Sequence, residues 1–474
     1  MNTKMLWQGL TLARKKTQTF FYGNLYPVIF SLSTFLFWAL NLQMVGFTIN
    51  ILAICFILLT YDDALLTIPI VFLTGMSFRN SYVVGQTALP IIIFGLALLA
   101  IIFNVIKYPI KKVKTDNILF ALILLTLSLL IGGLFSPFLS EFSEGLHIFF
   151  TAGVGMLGVH FFYSNKVKVN GTTPVKHYFC HSFLCAVNVA CSQALFAYVH
   201  TLLFGRAEFD GPDVNLFYYP GGFCWANSNH IGSLILLAVP VCLYILTHTN
   251  NFKFYLFQLV FLYVTMLITF SDGATAMLAV FTPTLFYFTF LNMNKRNYKA
   301  FKIFTITVVI IIALVLSFIA VFYNTQLIQY LFARSSDNGR IPVYIRAIEL
   351  FKNYPLFGVG LGHASVAVNA IGTYRGFFHS TFFHIIASCG IVGICAYAYL
   401  YYARIKHLVK NGGTLGLFAL IGFLMFAIYA IVENSELNIV VLYVTIMITV
   451  VGLPIKKAEL DTLPLHNQFN DFTF

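Results

Sequence analysis

Apolar runs of about 20 residues follow one another along nearly the whole 474-residue chain. A helix needs a run of that length to cross the hydrocarbon core of a bilayer, where every backbone polar group must be satisfied within the protein. Hydrophobic residues make up 59% of the chain and charged residues 9%, well below the roughly 25% of soluble domains. The sequence therefore predicts an all-α, polytopic transmembrane helical bundle without a large soluble domain.

The hydrophobic pattern predicts about 12–14 spans, because the first two runs are nearly continuous and the third is short. The candidate spans are 26–42, 44–60, 64–77, 88–106, 118–135, 146–163, 178–203, 228–248, 255–270, 274–292, 303–323, 380–402, 414–432 and 438–453. Loop 324–379 is far longer than an ordinary connection between helices. We expect N-terminal spans in 1–225, a second transmembrane region in 226–453 and a tail in 454–474. No small-residue cleavage site precedes the first run, which predicts a retained helix.

The Lys and Arg residues are concentrated in every second loop between the predicted spans. With the N-terminus in the cytoplasm, 21 of the 28 Lys and Arg residues fall in cytoplasmic segments, and 18 of those 21 are Lys. This is the positive-inside pattern of a multi-pass protein, so both termini are expected to be cytoplasmic. The formal charge of +12 then reflects topology rather than binding to nucleic acid.

The basic residues that would face the outer side are mostly Arg. They are Arg79, Arg206, Arg334, Arg340, Arg346, Lys352 and Arg375. Lys and Arg serve the positive-inside rule equally, so topology does not explain this sorting. Because a guanidinium presents a planar fork of donors that grips phosphate at two points, the pattern indicates phosphate recognition. The alternative is chance together with ordinary salt bridges in loops.

Loop 324–379 is predicted to contain one helix. A cap among residues 336–338 and Pro342 in the first turn would start it, and it would end near Tyr354. One face would lie on the membrane surface or on the bundle, and a second strip would lie beside it. The first face is Ile341, Tyr344, Ile345, Ile348 and Phe351, and the second strip is Arg340, Val343, Ala347 and Leu350.

The end of the same loop supplies the candidate chemistry. Gly358, Gly360 and Gly362 follow the helix, and their backbone N–H groups could approach a phosphate; the alternative is a plain turn. His379 stands where the next span begins, as a general base or as a polar anchor at the interface. His363 is a weaker rival for the role of base.

The sequence offers little that would hold a metal ion. His177 and His181 have the i, i+4 spacing of a metal pair and Cys180 lies beside them, but no nearby carboxylate completes a site. The outer segments contain no Asp-x-Asp motif or histidine cluster. We therefore expect no metal and no cofactor.

Several short motifs carry a family resemblance through their order and spacing. They are Gly339-Arg340, Tyr344, Ala347, the run Pro355-Leu356-Phe357-Gly358-Val359-Gly360-Leu361-Gly362, His379-Ser380 and Gly390-Ile391-Val392-Gly393. In this arrangement the chain resembles the O-antigen ligase and O-antigen polymerase (Wzy-C) superfamily of polytopic membrane glycosyltransferases. Weaker similarity at 227–230 and 271–274 extends the resemblance over about residues 225–400, which makes 226–453 the ligase-like region.

The resemblance implies an enzyme that moves a glycan from an undecaprenyl-diphosphate carrier to an acceptor hydroxyl. The reaction would take place on the outer face of a bacterial cytoplasmic (inner) membrane, without a metal. By position, His379 would be the base and Arg340 would hold the diphosphate. The partners would be the lipid-linked glycan, a glycan or lipid acceptor and membrane lipid.

The chain departs from the family pattern at three positions. Tyr344 stands where Trp is common, and Ser380 replaces an Asn. The family often has Arg where this chain has Asp272. Either Arg206, Arg334 or Arg375 then contacts the diphosphate in its place, or the donor site differs. Arg346 is also predicted to bind the diphosphate.

Four further residues are predicted to bind substrate: Tyr344, Trp225, Asn229 and Glu433. The alternative for each is an ordinary interfacial position. The family pattern does not separate a ligase from a polymerase. A transporter or flippase of lipid-linked oligosaccharide is the other hypothesis, disfavoured because the spans carry almost no charge away from their ends.

Overall fold

A computed structural model describes residues 16–77, 88–134, 149–168, 175–204, 228–269, 271–322, 340–360, 378–433, 437 and 440–454. Within these residues the regular elements are helices, and no strand occurs. The α-helices are α1 (Lys16–Tyr22), α2 (Leu25–Ala39), α3 (Gln43–Thr60), α4 (Ile68–Thr74), α5 (Ala88–Lys107), α6 (Asn117–Leu134), α7 (Met156–Lys166), α8 (Val175–Phe204), α9 (Ser228–His248), α10 (Phe252–Ile268), α11 (Asp272–Asn292), α12 (Lys295–Phe322), α13 (Arg340–Asn353), α14 (Thr381–Asn411), α15 (Gly413–Tyr429) and α16 (Val440–Val451). The predicted all-α polytopic bundle is confirmed.

Six of the described helices are long and apolar enough to cross a membrane: α3, α6, α8, α9, α11 and α14. Helices α1 and α2, which are bent by 73° relative to each other, make a seventh candidate if they count as one span. Shorter apolar helices lie at Ala64–Ser77, Gly95–Lys107, Phe252–Ile268, Gly413–Tyr429 and Val440–Val451. The count of about 12–14 spans and the orientation of the termini stay predictions.

Helix α9 is the central element of the second region. Its side chains Leu236, Val239 and Leu243 are fully buried, and it packs against α8, α10, α11 and α15. Helix α14 packs along α6, and α13 lies against α14. Large apolar side chains such as Val309 and Leu314 of α12 remain exposed, as expected for a surface that faces lipid tails. This packing brings the starts of α9, α11, α13 and α14 close to the end of α15.

Helix α13 confirms the predicted helix in the long loop, and the structure decides which face packs. Val343, Ala347 and Leu350 are buried against the bundle, whereas Ile341 and Ile345 are 68% and 53% exposed. The strip that contains Arg340 is therefore the packed one, and the isoleucine face points away from the protein. An exposed apolar helix face of this kind suits the membrane surface, one of the two predicted positions.

Helix α14 extends well beyond the predicted span 380–402. It continues to Asn411 and takes Arg404 into the interior, where the side chain is 1% exposed. The guanidinium Nη2 lies 3.2 Å from Thr445 Oγ1 and 3.1 Å from Met156 Sδ, with the ring of Phe423 at 5.7 Å. The helix therefore continues past the predicted end of the span, because the aromatic stretch before Arg404 continues as helix.

The segment Pro355–Gly360 fits into a break in α14. Gly390 has φ +59° and ψ −153°, which interrupts the helical hydrogen bonds. Val359 N donates to Ala387 O at 2.9 Å, and Ile391 N donates to Pro355 O at 2.8 Å. The two segments thereby satisfy backbone groups that the break would leave unpaired. Two glycines make this approach possible, because an added Cβ at Gly358 or Gly390 would collide with the opposite backbone.

Replacing Gly358 by Ala should lower the apparent Tm in detergent more than replacing Gly413 by Ala. Both glycines have positive φ, +68° and +61°, and a non-glycine residue there costs about 1–2 kcal/mol. Only at Gly358 would the new Cβ also meet the backbone of Ser388, since nothing lies within 4 Å at Gly413. Thermal unfolding followed by intrinsic fluorescence tests this difference. Equal shifts for the two variants would show that the close approach is unimportant.

Candidate functional site

His379 lies at the start of α14, in a backbone conformation that few side chains adopt. Its φ is +49°, in the left-handed region where histidine is more common than most residues. Ser380 follows as the N-cap, and its Oγ accepts a hydrogen bond from Phe383 N at 3.2 Å. The hydroxyl that stands in place of the family's Asn is thus engaged in capping the helix. Thr381 N donates to Glu433 O at 3.1 Å, which ties this helix start to the chain after α15.

Arg340 is the first residue of α13, and its guanidinium is held from one side. Nη1 donates to Val432 O at 2.6 Å, and Nη2 lies 3.7 Å from Glu433 Oε2. The Arg340 side chain is 30% exposed, whereas that of Glu433 is 1% exposed. A guanidinium carries five N–H donors, so these contacts leave donors for a ligand. Arg340 therefore presents positive charge at the surface of the site.

A polar network behind Arg340 joins three helix ends. Asn229, near the start of α9, donates from Nδ2 to Glu433 Oε2 at 2.7 Å. Ser271, the N-cap of α11, donates from Oγ to Asn229 Oδ1 at 2.9 Å. The same Oγ lies 3.0 Å from the hydroxyl of Tyr429, at the end of α15. The structure thus brings together Asn229, Glu433 and Arg340, three of the predicted site residues.

Tyr344 packs against the start of α14. Its ring stacks on that of Phe383, with centroids 4.3 Å apart and an interplanar angle of 14°. Its hydroxyl donates a long hydrogen bond of 3.4 Å to His379 O. Tyr344 therefore connects α13, which carries Arg340, to the backbone of the candidate base.

The surroundings of His379 favour its neutral form. Burial lowers the pKa of the His379 imidazole below its ordinary value of 6.5, and the positive charge of Arg340 lowers it further. At neutral pH the ring is therefore uncharged and able to accept a proton. For Tyr344, burial is the main cause that raises the pKa of the phenol, so its hydroxyl stays protonated.

The glycine run has a different task in the structure from the predicted phosphate cradle. Gly358 N donates to Tyr354 O at 3.0 Å, and Gly360 N donates to Ser388 O at 2.9 Å. These N–H groups already have backbone acceptors, so they are not available to a phosphate in this arrangement. The plain-turn alternative, together with the docking of this segment on α14, accounts for Gly358 and Gly360.

The other predicted site residues are less informative. Arg346 forms an ion pair with Glu349 one turn along α13, with 2.9 Å between Nη1 and Oε2. Asp272, in the position of the family's Arg, is an exposed first residue of α11. Predicted residues outside the described part of the chain are Arg206, Arg334, Arg375, Gly362 and Trp225. Among the described residues, no group of three or more His, Cys, Asp or Glu side chains could hold a metal ion.

Two side chains in the network had no predicted role. Ser271 links Asn229 to Tyr429, and Tyr429 lies one turn before Glu433. The i, i+4 spacing of Tyr429 and Glu433 is the one sequence signal that could have associated them. The contacts of Ser271 and Tyr429 in this network depend on how α9, α11 and α15 pack, which the sequence alone does not reveal.

Comparison with known proteins matches residues 257–398 to one family model, described as Wzy_C, O-antigen ligase. The comparison with curated proteins gives no match. The matched segment includes Ser271, Arg340, Tyr344 and His379. It ends before Glu433 and begins after Asn229, so the network behind Arg340 extends outside the matched residues.

Proposed function

We propose that this chain, whose residues 257–398 match the O-antigen ligase (Wzy_C) family model, moves a glycan from undecaprenyl diphosphate to an acceptor hydroxyl on the outer face of the membrane. The family makes the chain an O-antigen ligase-like, multi-pass membrane enzyme of the ligase or polymerase type that acts on lipid-linked glycans. The carrier, the residue roles and the side of the membrane belong to our proposal.

His379 acts as the general base. A sugar hydroxyl is a poor nucleophile, and a neutral imidazole can take its proton as the oxygen attacks the anomeric carbon of the donor. The lowered pKa of His379 supports this role, because the ring need not lose a proton first. The new glycosidic C–O bond forms as the bond between the anomeric carbon and the phosphate oxygen breaks.

Arg340 stabilises the leaving group. The departing undecaprenyl diphosphate keeps the electron pair of the broken bond, so negative charge grows on its terminal phosphate. A guanidinium held in place by Val432 O and Glu433 can meet that charge without rearranging. This role is supported by the partial exposure of Arg340, which leaves the cation accessible to a ligand.

The observation that carries the proposal is the shared location of these two groups. Arg340 begins α13 and His379 precedes α14, and the two helix starts are joined by the bond from Tyr344 to His379 O and by the contacts of Arg340 and Thr381 with Glu433. A neutral base beside a fixed cation is what metal-independent transfer from a diphosphate requires. The exposed isoleucine face of α13 adds a surface for the lipid part of the donor.

The direct test supplies purified protein with one undecaprenyl-diphosphate-linked glycan, with and without candidate acceptors. A ladder of products without an added acceptor would identify a polymerase, and a single product that requires the acceptor would identify a ligase. Liposomes that hold the same protein and donor control for the transporter hypothesis. Translocation of the donor without any transfer product would contradict the proposed function.

The acid limb of the profile of kcat/KM against pH should lie below 6.5 in the wild type. Transfer needs neutral His379, and both burial and Arg340 lower the pKa of its imidazole from 6.5. Removing the cation in Arg340→Gln should raise that pKa, and the limb should move to higher pH. Arg340→Lys keeps a positive charge and should keep the limb nearer its wild-type position. The check is to measure kcat/KM of the wild type, Arg340→Gln and Arg340→Lys across the acidic pH range. An acid limb that does not move in Arg340→Gln would contradict the assignment of His379 as the base.

A further inference from the structure

Glu433 is too enclosed to be the sugar contact that its position in the sequence suggests. Its side chain is 1% exposed, and a buried carboxylate is costly unless charged or polar partners surround it. The partners are present: Asn229 Nδ2 lies 2.7 Å and Arg340 Nη2 lies 3.7 Å from the same oxygen, Oε2. Oε2 of Glu433 is therefore engaged by Asn229 and Arg340 and is enclosed by the protein.

The support of Glu433 extends through two further helices. Asn229 is oriented by Ser271, whose Oγ donates to Asn229 Oδ1 at 2.9 Å. The backbone carbonyl of Asn229 accepts from Ser233 Oγ at 2.9 Å within α9. The backbone of Glu433 accepts from Thr381 N at 3.1 Å and from Thr381 Oγ1 at 3.2 Å. The side chain of Glu433 is thus attached to α9, and its backbone is attached to α14.

The Arg340 side chain is 30% exposed and that of Glu433 is 1% exposed, so Arg340 lies on the outer side of the pair. A ligand that approaches the site meets the guanidinium of Arg340, because Glu433 lies behind it. Nη1 donates a hydrogen bond to the carbonyl of Val432, and Nη2 forms an ion pair with the carboxylate, so contacts on both terminal nitrogens limit the orientation of the fork. A bidentate contact to phosphate depends on that plane.

We propose that Glu433, braced by Asn229, is the positioning residue that orients the Arg340 guanidinium toward the diphosphate of the donor. This inference rests on the proposed function of Arg340 and assigns Glu433 and Asn229 a different task from sugar binding. Glu433 acts through Arg340 and does not touch the substrate. A carboxylate near a phosphate site also repels the ligand. Removing the charge of Glu433 therefore weakens diphosphate binding if orientation of Arg340 dominates, and strengthens it if repulsion dominates.

The test measures binding of undecaprenyl diphosphate to purified protein, with undecaprenyl monophosphate as the comparison ligand. Glu433→Gln keeps the shape of the side chain but removes the charge that orients Arg340. We expect diphosphate binding to weaken by about 10–100-fold, the scale of losing one hydrogen bond to a charged group. Binding of the monophosphate should change much less. Tighter diphosphate binding in Glu433→Gln would show that repulsion wins, and would overturn the proposal.

A double-mutant cycle separates the inference from the proposed function. If Glu433 acts through Arg340, adding Glu433→Gln to Arg340→Gln should cause no further loss. An undiminished extra loss would mean that Glu433 acts independently, which overturns the inference but leaves the role of Arg340 intact. Wild-type diphosphate binding by Arg340→Gln alone would instead contradict the proposed function of Arg340.

Two further variants complete the test: one removes a carboxylate outside the site, and the other removes the brace on Glu433 without changing any charge. Glu349→Gln removes a carboxylate that pairs with an arginine of the same helix, but at an exposed position, and it should bind diphosphate like the wild type. Asn229→Ala leaves both charges and removes the brace on Glu433. It should weaken diphosphate binding by a smaller factor than Glu433→Gln, so it carries the test if Glu433→Gln does not fold. Unchanged binding in a folded Asn229→Ala would contradict the bracing role.

Discussion

Replacing His379 by Ala should lower the rate of glycan transfer by about 10²–10⁴-fold, the usual contribution of a general base. The acceptor hydroxyl would then have to lose its proton to water during the attack. Binding of the lipid-linked donor should change little, because the imidazole is assigned to the acceptor side. The measurement is single-turnover transfer with saturating donor and acceptor, alongside protein abundance in the membrane.

The unusual backbone of His379 calls for a matched control. Its φ of +49° disfavours Ala, so loss of activity in His379→Ala could arise from a displaced helix start. Asn tolerates the left-handed region and cannot act as a base, so His379→Asn separates the two causes. We expect His379→Asn to be equally inactive with a wild-type Tm, and His363→Ala to be active. Wild-type rates in His379→Asn would exclude His379 as the base.

Replacing Arg340 by Gln should lower transfer by about 10²–10³-fold, the effect of removing one preorganised donor from developing negative charge. Glutamine keeps a polar amide, but it brings no positive charge and no fork. Arg340→Lys should recover only part of the loss, because a lysine ammonium cannot make the planar bidentate contact. Steady-state kinetics with purified lipid-linked donor give both kcat and KM.

The matched control for Arg340 lies two turns along the same helix. Arg346 pairs with Glu349 on a partly exposed surface, where ion pairs contribute at most about 1 kcal/mol. Arg346→Gln should therefore retain most of the activity. An equal loss in both variants would indicate that the overall charge of α13, and not the position of Arg340, is what matters. It would also restore Arg346 as a diphosphate contact, as the sequence predicts.

The helical bundle could be predicted because each span is encoded locally. An apolar run of sufficient length determines a helix in lipid whatever lies beside it, and the described helices follow the predicted runs. The ends were less predictable, because Arg404 shows that a charged residue near the end of a run need not stop the helix. Its partners Thr445 and Met156 come from other parts of the chain, and no local pattern reveals them.

Some residues of the candidate site could likewise be predicted from the sequence, whereas the contacts between them could not. Arg340, His379 and the glycine run are close in sequence, and their order and spacing were enough to associate them. The bonds from Asn229 to Glu433 and from Ser271 to Tyr429 join residues 204 and 158 positions apart. Such contacts depend on helix packing, which one sequence does not encode in any readable spacing. The glycine run shows that a recognisable motif can still have two interpretations. Its spacing fits both a phosphate cradle and a docking turn, and only the acceptors of its N–H groups distinguish them.

The polar network behind Arg340 also limits how parts of this enzyme can be exchanged with relatives. A chimaera that replaced only the family-matched residues 257–398 would import a new arginine but keep the old Asn229 and Glu433. The incoming guanidinium would then meet a carboxylate that had not been selected together with it. Exchange of donor preference should therefore succeed only when the start of α9 and the end of α15 are transplanted with the loop. If Glu433 orients Arg340 as proposed, the segment to be exchanged includes helix ends on both sides of the matched residues 257–398.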